Sequence, residues 1–184
     1  LASPNPMKGT RIQLIPKASV ILAILLAAPA AAASPEADAV RAFLGEQGFT
    51  TFKLTKLPTG HEIIAVTING QSGTFVLDSG AGRTVVRHDK LATFGLAPAT
   101  DAQQGAGAGG SIAITSHPIT SFALDGRAVP LPVVYATNLD SVAARLKAAT
   151  GVEIDGVVGQ DVLSGYAAII NIGTSELYLK VPAR

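Results

Sequence analysis

The stretch "TFVLDSGAGRTVV", residues 74–86, places one carboxylate between an apolar run and a turn of small residues. Phe75, Val76 and Leu77 favour a buried strand that ends at Asp78. Asp-Ser-Gly tripeptides are common in loops, because an aspartate side chain binds nearby backbone amides and glycine accepts positive φ. The tripeptide alone therefore leaves two interpretations open, a turn-capping residue and a catalytic acid.

The first 33 residues have the pattern of an export signal. Lys8, Arg11 and Lys17 precede an apolar run over residues 18–28, and an alanine-rich end offers a cleavage site before Ser34. The alternative is an anchor that stays in the membrane, but the apolar stretch is shorter than the ~20 residues that a spanning helix needs. We therefore expect a periplasmic or secreted protein that meets the membrane only through an uncleaved signal segment.

Composition limits the classes of protein that fit the rest of the chain. Residues 34–184 hold all 13 acidic residues but only 11 of the 14 basic ones, which gives a formal charge of −2. This charge argues against nucleic acid as a partner. The chain has no Cys, so it forms no disulfide. We expect upstream residues and a signal peptide at 1–33, a helical extension at 34–50 and one folded domain at 51–184.

Two segments, 36–47 and 139–150, have apolar residues at helical spacing and are followed by a glycine. The predicted apolar faces are Val40, Phe43 and Leu44 in the first segment and Leu139, Val142 and Leu146 in the second. Residues 88–96 have room for one or two further helical turns. The sequence thus predicts two or three short helices.

Most of the remaining chain has the pattern of β-strands. Asn69-Gly70 and Asp125-Gly126 are hairpin signals, although the loop from Asn69 to Thr74 is longer than a two-residue turn needs. Prolines in the segment 128–136 indicate an edge strand. We therefore predict an all-β domain.

A second motif decides how Asp78 is interpreted. Val76-Leu77-Asp78-Ser79-Gly80-Ala81, followed by Thr84-Val85-Val86, and the later Val157-Val158-Gly159 together resemble the motifs of the retropepsin-like aspartic proteases. In that family an apolar strand delivers Asp-Thr/Ser-Gly-Ala, and an apolar-apolar-Gly segment packs under the active-site loop. The resemblance covers roughly residues 60–180. It implies a closed retropepsin-like (acid protease) barrel, with Val157, Val158 and Gly159 supporting the loop.

The resemblance implies that Asp78 is catalytic and that Ser79, Gly80 and Ala81 form its loop. Hydrolysis by aspartic proteases needs two carboxylates that share one proton, and like charges in close contact cannot both ionise. Because this chain carries one such motif, the resemblance implies a homodimer in which two copies of Asp78 meet. It implies no cofactor, and a peptide or protein as substrate.

The glycine-rich segment at 103–110 lies where the family places its flap. Gly105, Gly107, Gly109 and Gly110 are therefore flap candidates, and a passive surface loop is the alternative interpretation. The sequence also departs from the viral pattern, since Gly82 and Gln160 occupy the places of an acid–arginine pair that steadies viral dimers.

Other candidate site residues have less support from the sequence than Asp78 has. Asp155 and Asp161 are alternative partners for Asp78 within one chain, although aspartates at such positions commonly cap turns. The three histidines lack metal-ligand spacing, so we expect no metal site. The sequence therefore predicts an aspartic endopeptidase, and its alternative is an exported domain of the same fold that binds peptide or a partner protein without cleaving it.

Overall fold

The computed structural model describes residues 35–99, 102–107 and 110–182, so the predicted signal peptide at 1–33 lies outside the described residues. These residues belong to one unit, Ala33–Arg184. Three helices, thirteen strands and a 3-10 turn occur in them. In chain order they are α1 (Pro35–Glu46), β1 (Thr50–Lys53), β2 (Thr55–Lys56), β3 (Glu62–Ile68), β4 (Gln71–Leu77), β5 (Val85–Arg87), the 3-10 turn (His88–Lys90), β6 (Gln103–Gly107), β7 (Gly110–Pro118), β8 (Phe122–Leu124), β9 (Arg127–Ala128), β10 (Val133–Thr137), α2 (Asp140–Thr150), β11 (Gly156–Val158), α3 (Gln160–Leu163), β12 (Ile169–Asn171) and β13 (Glu176–Leu179).

The strands form two open sheets. The larger has the order β6-β7-β10-β5-β11-β4-β3-β8-β9, with β2 beside β3, and the smaller has the order β1-β13-β12. The prediction of a mostly β chain with few helices is confirmed. The closed barrel is not confirmed, because among the described strands the two ends of the larger sheet, β6 and β9, do not pair. At one end, β9 has two residues, both exposed, and it pairs with β8.

The β3–β4 hairpin ends directly before Asp78. Alternate residues of β3 point into the core, so that Ile64, Val66 and Ile68 are buried. Asn69 and Gly70 both have positive φ, as a two-residue type I′ turn requires. Pairing resumes at once, with Ile68 opposite Gln71. The expected longer loop was therefore wrong, because the strand begins before the apolar residues that marked it in the sequence.

Helices α1 and α2 occur where helical spacing predicted them, and the predicted Leu44 and Leu146 are buried, but other residues of the two predicted faces are exposed. In α1 the buried residues are Ala37 and Leu44, whereas Phe43 is 61% exposed. In α2 the buried residues are Ala143 and Leu146, whereas Val142 is 45% exposed. Alanines give a weak sequence signal, and Ala143 belongs to the same part of the core as Leu146.

The core has two parts that together support the β4–β11 region. The larger part contains Phe75 and Phe94, whose rings meet edge to face at 5.8 Å. The smaller part joins Leu146 of α2 to Val76 and Val157. Adjacent residues of β4 thus contribute to different parts of the core, and the end of β4 is held from both faces.

Helix α1 is attached to the small sheet by an ion pair. Arg41 Nη2 lies 2.6 Å from Glu176 Oε1, and Glu176 also accepts hydrogen bonds from Tyr178 and Thr174. Burial alone would raise the pKa of Glu176, but the hydrogen bonds from Tyr178, Arg41 and Thr174 outweigh it and lower that pKa. Burial raises the pKa of Tyr178 to about 12.

The proline-rich segment does not end in an edge strand. Strand β10 lies between β7 and β5, and it is the short β9 that forms an edge. Pro130 and Pro132 precede β10, so they remove no hydrogen bond from it. In the part of the chain that the structure describes, no helix is long and apolar enough to cross a membrane.

Candidate active site

The Asp78 loop, residues 78–84, connects β4 to β5 around the end of β11. Strand β11 lies between them, parallel to β4 and antiparallel to β5. The backbone amide of Asp78 donates to the carbonyl of Val158 at 3.0 Å, so the pairing of β4 with β11 continues to the aspartate. The two motifs that the sequence placed far apart therefore lie side by side.

Two glycines let β11 fit against the loop. A Cβ on Gly156 would lie 2.2 Å from the carbonyl oxygen of Val85. A Cβ on Gly159 would lie 2.3 Å from the carbonyl oxygen of Arg83 and 2.7 Å from that of Ala81. Backbone atoms cannot give way as a flexible side chain can, so both positions exclude any larger residue.

The carboxylate of Asp78 is fixed from within its own loop. The amide of Gly80 donates to Asp78 Oδ1 at 2.8 Å, and the amide of Ala81 donates to the Asp78 carbonyl at 3.2 Å. Asp78 is half-buried, whereas Ser79 and Gly80 are exposed. Among the residues in the described ranges, none donates a hydrogen bond to Asp78 Oδ2. The Oδ1 atom is therefore held in a fixed orientation, and Oδ2 is bound by no donor in the described residues.

Gln160 is a site residue whose role the sequence did not predict. Its side-chain Nε2 donates to the carbonyl of Ser79 at 2.7 Å, and its backbone amide donates to the carbonyl of Ala81 at 2.8 Å. Its Oε1 accepts a hydrogen bond from Ser164. The residue that replaces the arginine of the viral pattern thus holds the Asp78 loop of its own chain.

Thr84 and Asp161 form a second connection that sequence reasoning missed. The amide and hydroxyl of Thr84 donate to the two carboxylate oxygens of Asp161 at 2.8 and 2.7 Å. The hydroxyl of Thr84 also accepts from the amide of Gly159 at 3.2 Å. Thr84 is completely buried. The only sequence signal was a polar residue beside the apolar Val85-Val86 pair, and such a signal does not name a partner.

Asp155 is likewise engaged in structure. Its Oδ2 accepts from the amide of Thr74 at 2.9 Å, and its Oδ1 lies 3.4 Å from Lys90 Nζ. Both aspartates that were alternative partners for Asp78 therefore use their oxygens to bind backbone and neighbouring side chains.

The arginine beside the loop lies over an aromatic ring. Arg83 is exposed, and its guanidinium carbon lies 5.5 Å from the centre of the Tyr135 ring. This contact places a positive charge on the surface above Tyr135 of β10, beside the end of the loop.

The flap candidates lie in a β-hairpin. Gly105 and Gly107 belong to β6, and Gly110 begins β7, with Gly107 opposite Gly110. Gly109 lies outside the described residues. The hairpin joins the sheet through β10, which pairs in turn with β5 at the end of the Asp78 loop. This arrangement connects the hairpin to the site, and the flap assignment stays a prediction.

The three histidines differ in their surroundings. His61 and His88 are exposed, whereas His117 is buried and lies 2.7 Å from the Thr115 hydroxyl. Burial lowers the pKa of His117. Within the described ranges, no group of three or more acidic or histidine side chains is arranged to hold a metal ion.

A family model for aspartyl proteases matches residues 64–162, from β3 to α3. The chain belongs to this aspartyl protease family. No curated protein matches it significantly. The crystal structure of a retropepsin-like aspartic protease from Rickettsia conorii is similar, with a TM-score of 0.49 and 15% identity over 71% of this chain and 90% of that chain.

The family predicted from the sequence is confirmed. The matched part of the chain contains both motifs, Asp78-Ser79-Gly80-Ala81 and Val157-Val158-Gly159. It also contains Gln160 and Asp161, so the hydrogen bonds that join these two residues to Ser79 and Thr84 lie within the matched residues.

Proposed function

We propose that this aspartyl protease is an aspartic endopeptidase in which Asp78 pairs with Asp78 of a second copy. The observation that carries the proposal is the state of the Asp78 carboxylate. Its Oδ1 is held by the Gly80 amide at 2.8 Å, while Oδ2 is bound by no donor in the described part of the chain. A catalytic carboxylate needs this combination of a fixed orientation and a free oxygen.

The need for a second copy follows from the other acids. The mechanism requires two adjacent carboxylates, and Asp155 and Asp161 are both occupied by contacts with Thr74, Lys90 and Thr84. A two-fold axis beside the loop supplies the second carboxylate without another motif.

The chemistry then uses one ionised and one protonated aspartate. The ionised carboxylate takes a proton from a water molecule, whose oxygen attacks the peptide carbonyl carbon. The protonated carboxyl group gives its proton to the carbonyl oxygen, which forms a tetrahedral intermediate. When the C–N bond breaks, the first aspartate gives its proton to the leaving amine, and the second aspartate takes one proton from a hydroxyl of the intermediate, which becomes the new carboxyl group. One aspartate is then again ionised and the other protonated. The substrate class is peptide or unfolded protein in an extended conformation.

A subunit-mixing assay tests the proposal. Asp78→Asn should fold normally and cleave no unfolded protein, since the amide cannot exchange the proton. Mixed one to one with wild type at a concentration that favours dimers, it should reduce cleavage at fixed total protein to about one quarter, because only one dimer in four then has two aspartates. A fall to about one half would instead indicate an active monomer.

The matched control is Asp140→Asn, which changes an aspartate that is 64% exposed at the start of α2. It should retain wild-type activity. Wild-type protein that binds peptide but cleaves none between acidic and neutral pH would overturn the proposal in favour of a binding domain.

We also propose export, supported by the basic and apolar pattern of residues 8–33. N-terminal sequencing of the protein from a host cell's periplasm or medium should find Ser34 or a close neighbour first. An intact Met7 start in the membrane fraction would instead indicate a retained anchor.

A further inference from the structure

Two hydrogen bonds meet on opposite sides of one peptide group in the Asp78 loop. The carbonyl of Ser79 accepts from Gln160 Nε2 at 2.7 Å, and the amide of Gly80 donates to Asp78 Oδ1 at 2.8 Å. These two groups belong to the same peptide unit, which is trans. In a planar trans unit the C=O and N–H bonds point in opposite directions. Whatever fixes the direction of the carbonyl therefore fixes the direction of the amide.

The geometry points to Gln160 as a positioning residue that holds the Ser79–Gly80 peptide so that its N–H faces the Asp78 carboxylate. This inference rests on the proposed function, and it adds a role for a residue outside both sequence motifs. Gln160 does not touch the carboxylate itself, because its amide reaches the other side of the peptide.

The peptide needs an external support. Ser79 and Gly80 are exposed, so packing does not restrain them. Glycine accepts a wide range of φ and ψ, so the unit preceding Gly80 can rotate at low cost. A rotated unit would present its carbonyl oxygen to the carboxylate and remove the donor. The Gln160 side chain opposes that rotation.

Two hydrogen bonds fix the position of Gln160 itself. Its backbone amide donates to the Ala81 carbonyl at 2.8 Å, which places the residue directly beside the loop. The hydroxyl of Ser164 donates to Gln160 Oε1. That contact fixes which end of the side-chain amide faces Ser79, because the oxygen is occupied and the nitrogen remains for the carbonyl.

The consequence for catalysis is a loss of orientation. Without Gln160 the Ser79–Gly80 peptide can rotate, and the Gly80 amide then no longer holds Asp78 Oδ1. A carboxylate that is not oriented reacts more slowly with a bound peptide, so kcat should fall while KM stays near its wild-type value. A general loss of folded protein would instead lower the melting temperature.

The test is the kcat and KM of Gln160→Met, which keeps side-chain length but has no donor. We expect kcat to fall about tenfold, as expected for the loss of one hydrogen bond that orients a charged group, with KM close to that of wild type. Gln71→Met, a change at an exposed hairpin residue, is the matched control and should leave both constants unchanged. If Gln160→Met folds poorly, Ser164→Ala should lower kcat by less.

The Gly80 amide provides a readout that does not depend on turnover. In wild type its hydrogen should exchange slowly with solvent, because it is bound to Asp78 Oδ1, and in Gln160→Met it should exchange faster. Wild type that cleaves nothing would defeat the proposed function but leave this exchange rate to decide the inference. A Gln160→Met protein with the kcat of wild type, or with a Gly80 amide that exchanges as slowly as in wild type, would overturn the role of Gln160.

Discussion

Thr84 binds both carboxylate oxygens of Asp161, through its amide at 2.8 Å and its hydroxyl at 2.7 Å. The pair joins the end of the Asp78 loop to the first turn of α3, 77 residues further along the chain. Thr84 is completely buried, so water cannot take the place of Asp161 as the partner of its hydroxyl and amide. Hydrogen bonds to Asp161 thus hold the end of the loop, and a hydrogen bond from Gln160 holds its centre.

The Thr84 hydroxyl should contribute more to the free energy of unfolding than the Thr84 methyl group does. Thr84→Val leaves the amide of Gly159 without its acceptor and removes one donor from Asp161, so we expect a loss of about 1–3 kcal/mol in the free energy of unfolding. Thr84→Ser keeps the hydroxyl and should cost less. Urea denaturation of both variants measures the difference, and a Thr84→Val protein as stable as Thr84→Ser would show that the contact contributes little.

Gly159 should tolerate no side chain. In Gly159→Ala the added Cβ meets the backbone of Ala81 and Arg83, and we expect the loop to shift at a cost of about 1–3 kcal/mol, together with loss of cleavage. The matched control is Gly82→Ala in the same loop, where nothing lies within 4 Å of the added atom. Thermal unfolding compares the two. Equal melting temperatures would mean that β11 and the loop are not in close contact.

Glu153 should make the fold sensitive to acid. Hydrogen bonds from Lys147 and Lys90 lower the pKa of Glu153 from 4.5 to about 2. A carboxyl group whose pKa is lower in the folded protein stabilises the fold fully above its unfolded pKa, and this contribution disappears as the pH falls from about 4.5 to about 2.

Glu153→Gln should therefore be less stable than wild type at neutral pH, and the difference should narrow across that window. Melting temperatures of both proteins from pH 7 to pH 2 provide the measurement, with the exposed Glu46→Gln as control. A difference that stays constant with pH would contradict the ion-pair explanation.

The sequence predicted the features that depend on neighbouring residues. The turns at Asn69-Gly70 and Asp125-Gly126 have the positive φ values that those residue types favour, and Gly151 ends α2 in the left-handed region. The resemblance also implied that Val157-Val158-Gly159 packs under the Asp78 loop, and β11 ends beside that loop. In each case a short segment carries the information.

The contacts that hold the loop could not be predicted in this way. Gln160 reaches Ser79 across 81 residues, and Thr84 reaches Asp161 across 77. Their partners are defined only after β11 has inserted between β4 and β5. The same limit explains the face of α1, where contact with the sheets selects Ala37 and leaves Phe43 exposed.

The Ser79 hydroxyl should contribute to the proposed dimer. Ser79 is exposed, and its carbonyl is held by Gln160, while its hydroxyl makes no hydrogen bond among the described residues. It lies next to Asp78, so an axis that brings the two carboxylates together also brings the two hydroxyls near the interface. Ser79→Ala removes one hydrogen bond from each copy, at about 1 kcal/mol each, which should weaken dimerisation by about 30-fold.

Sedimentation equilibrium measures that change, and Ser121→Ala, which alters another exposed serine, should leave the dimer as it is. The specific activity of Ser79→Ala should fall on dilution at concentrations where wild type still holds its activity, and it should recover at high concentration because Asp78 is unchanged. An active Ser79→Ala protein with a wild-type dissociation constant would show that the hydroxyl makes no contact across the axis. Activity that never depends on concentration, in either protein, would place the second carboxylate elsewhere.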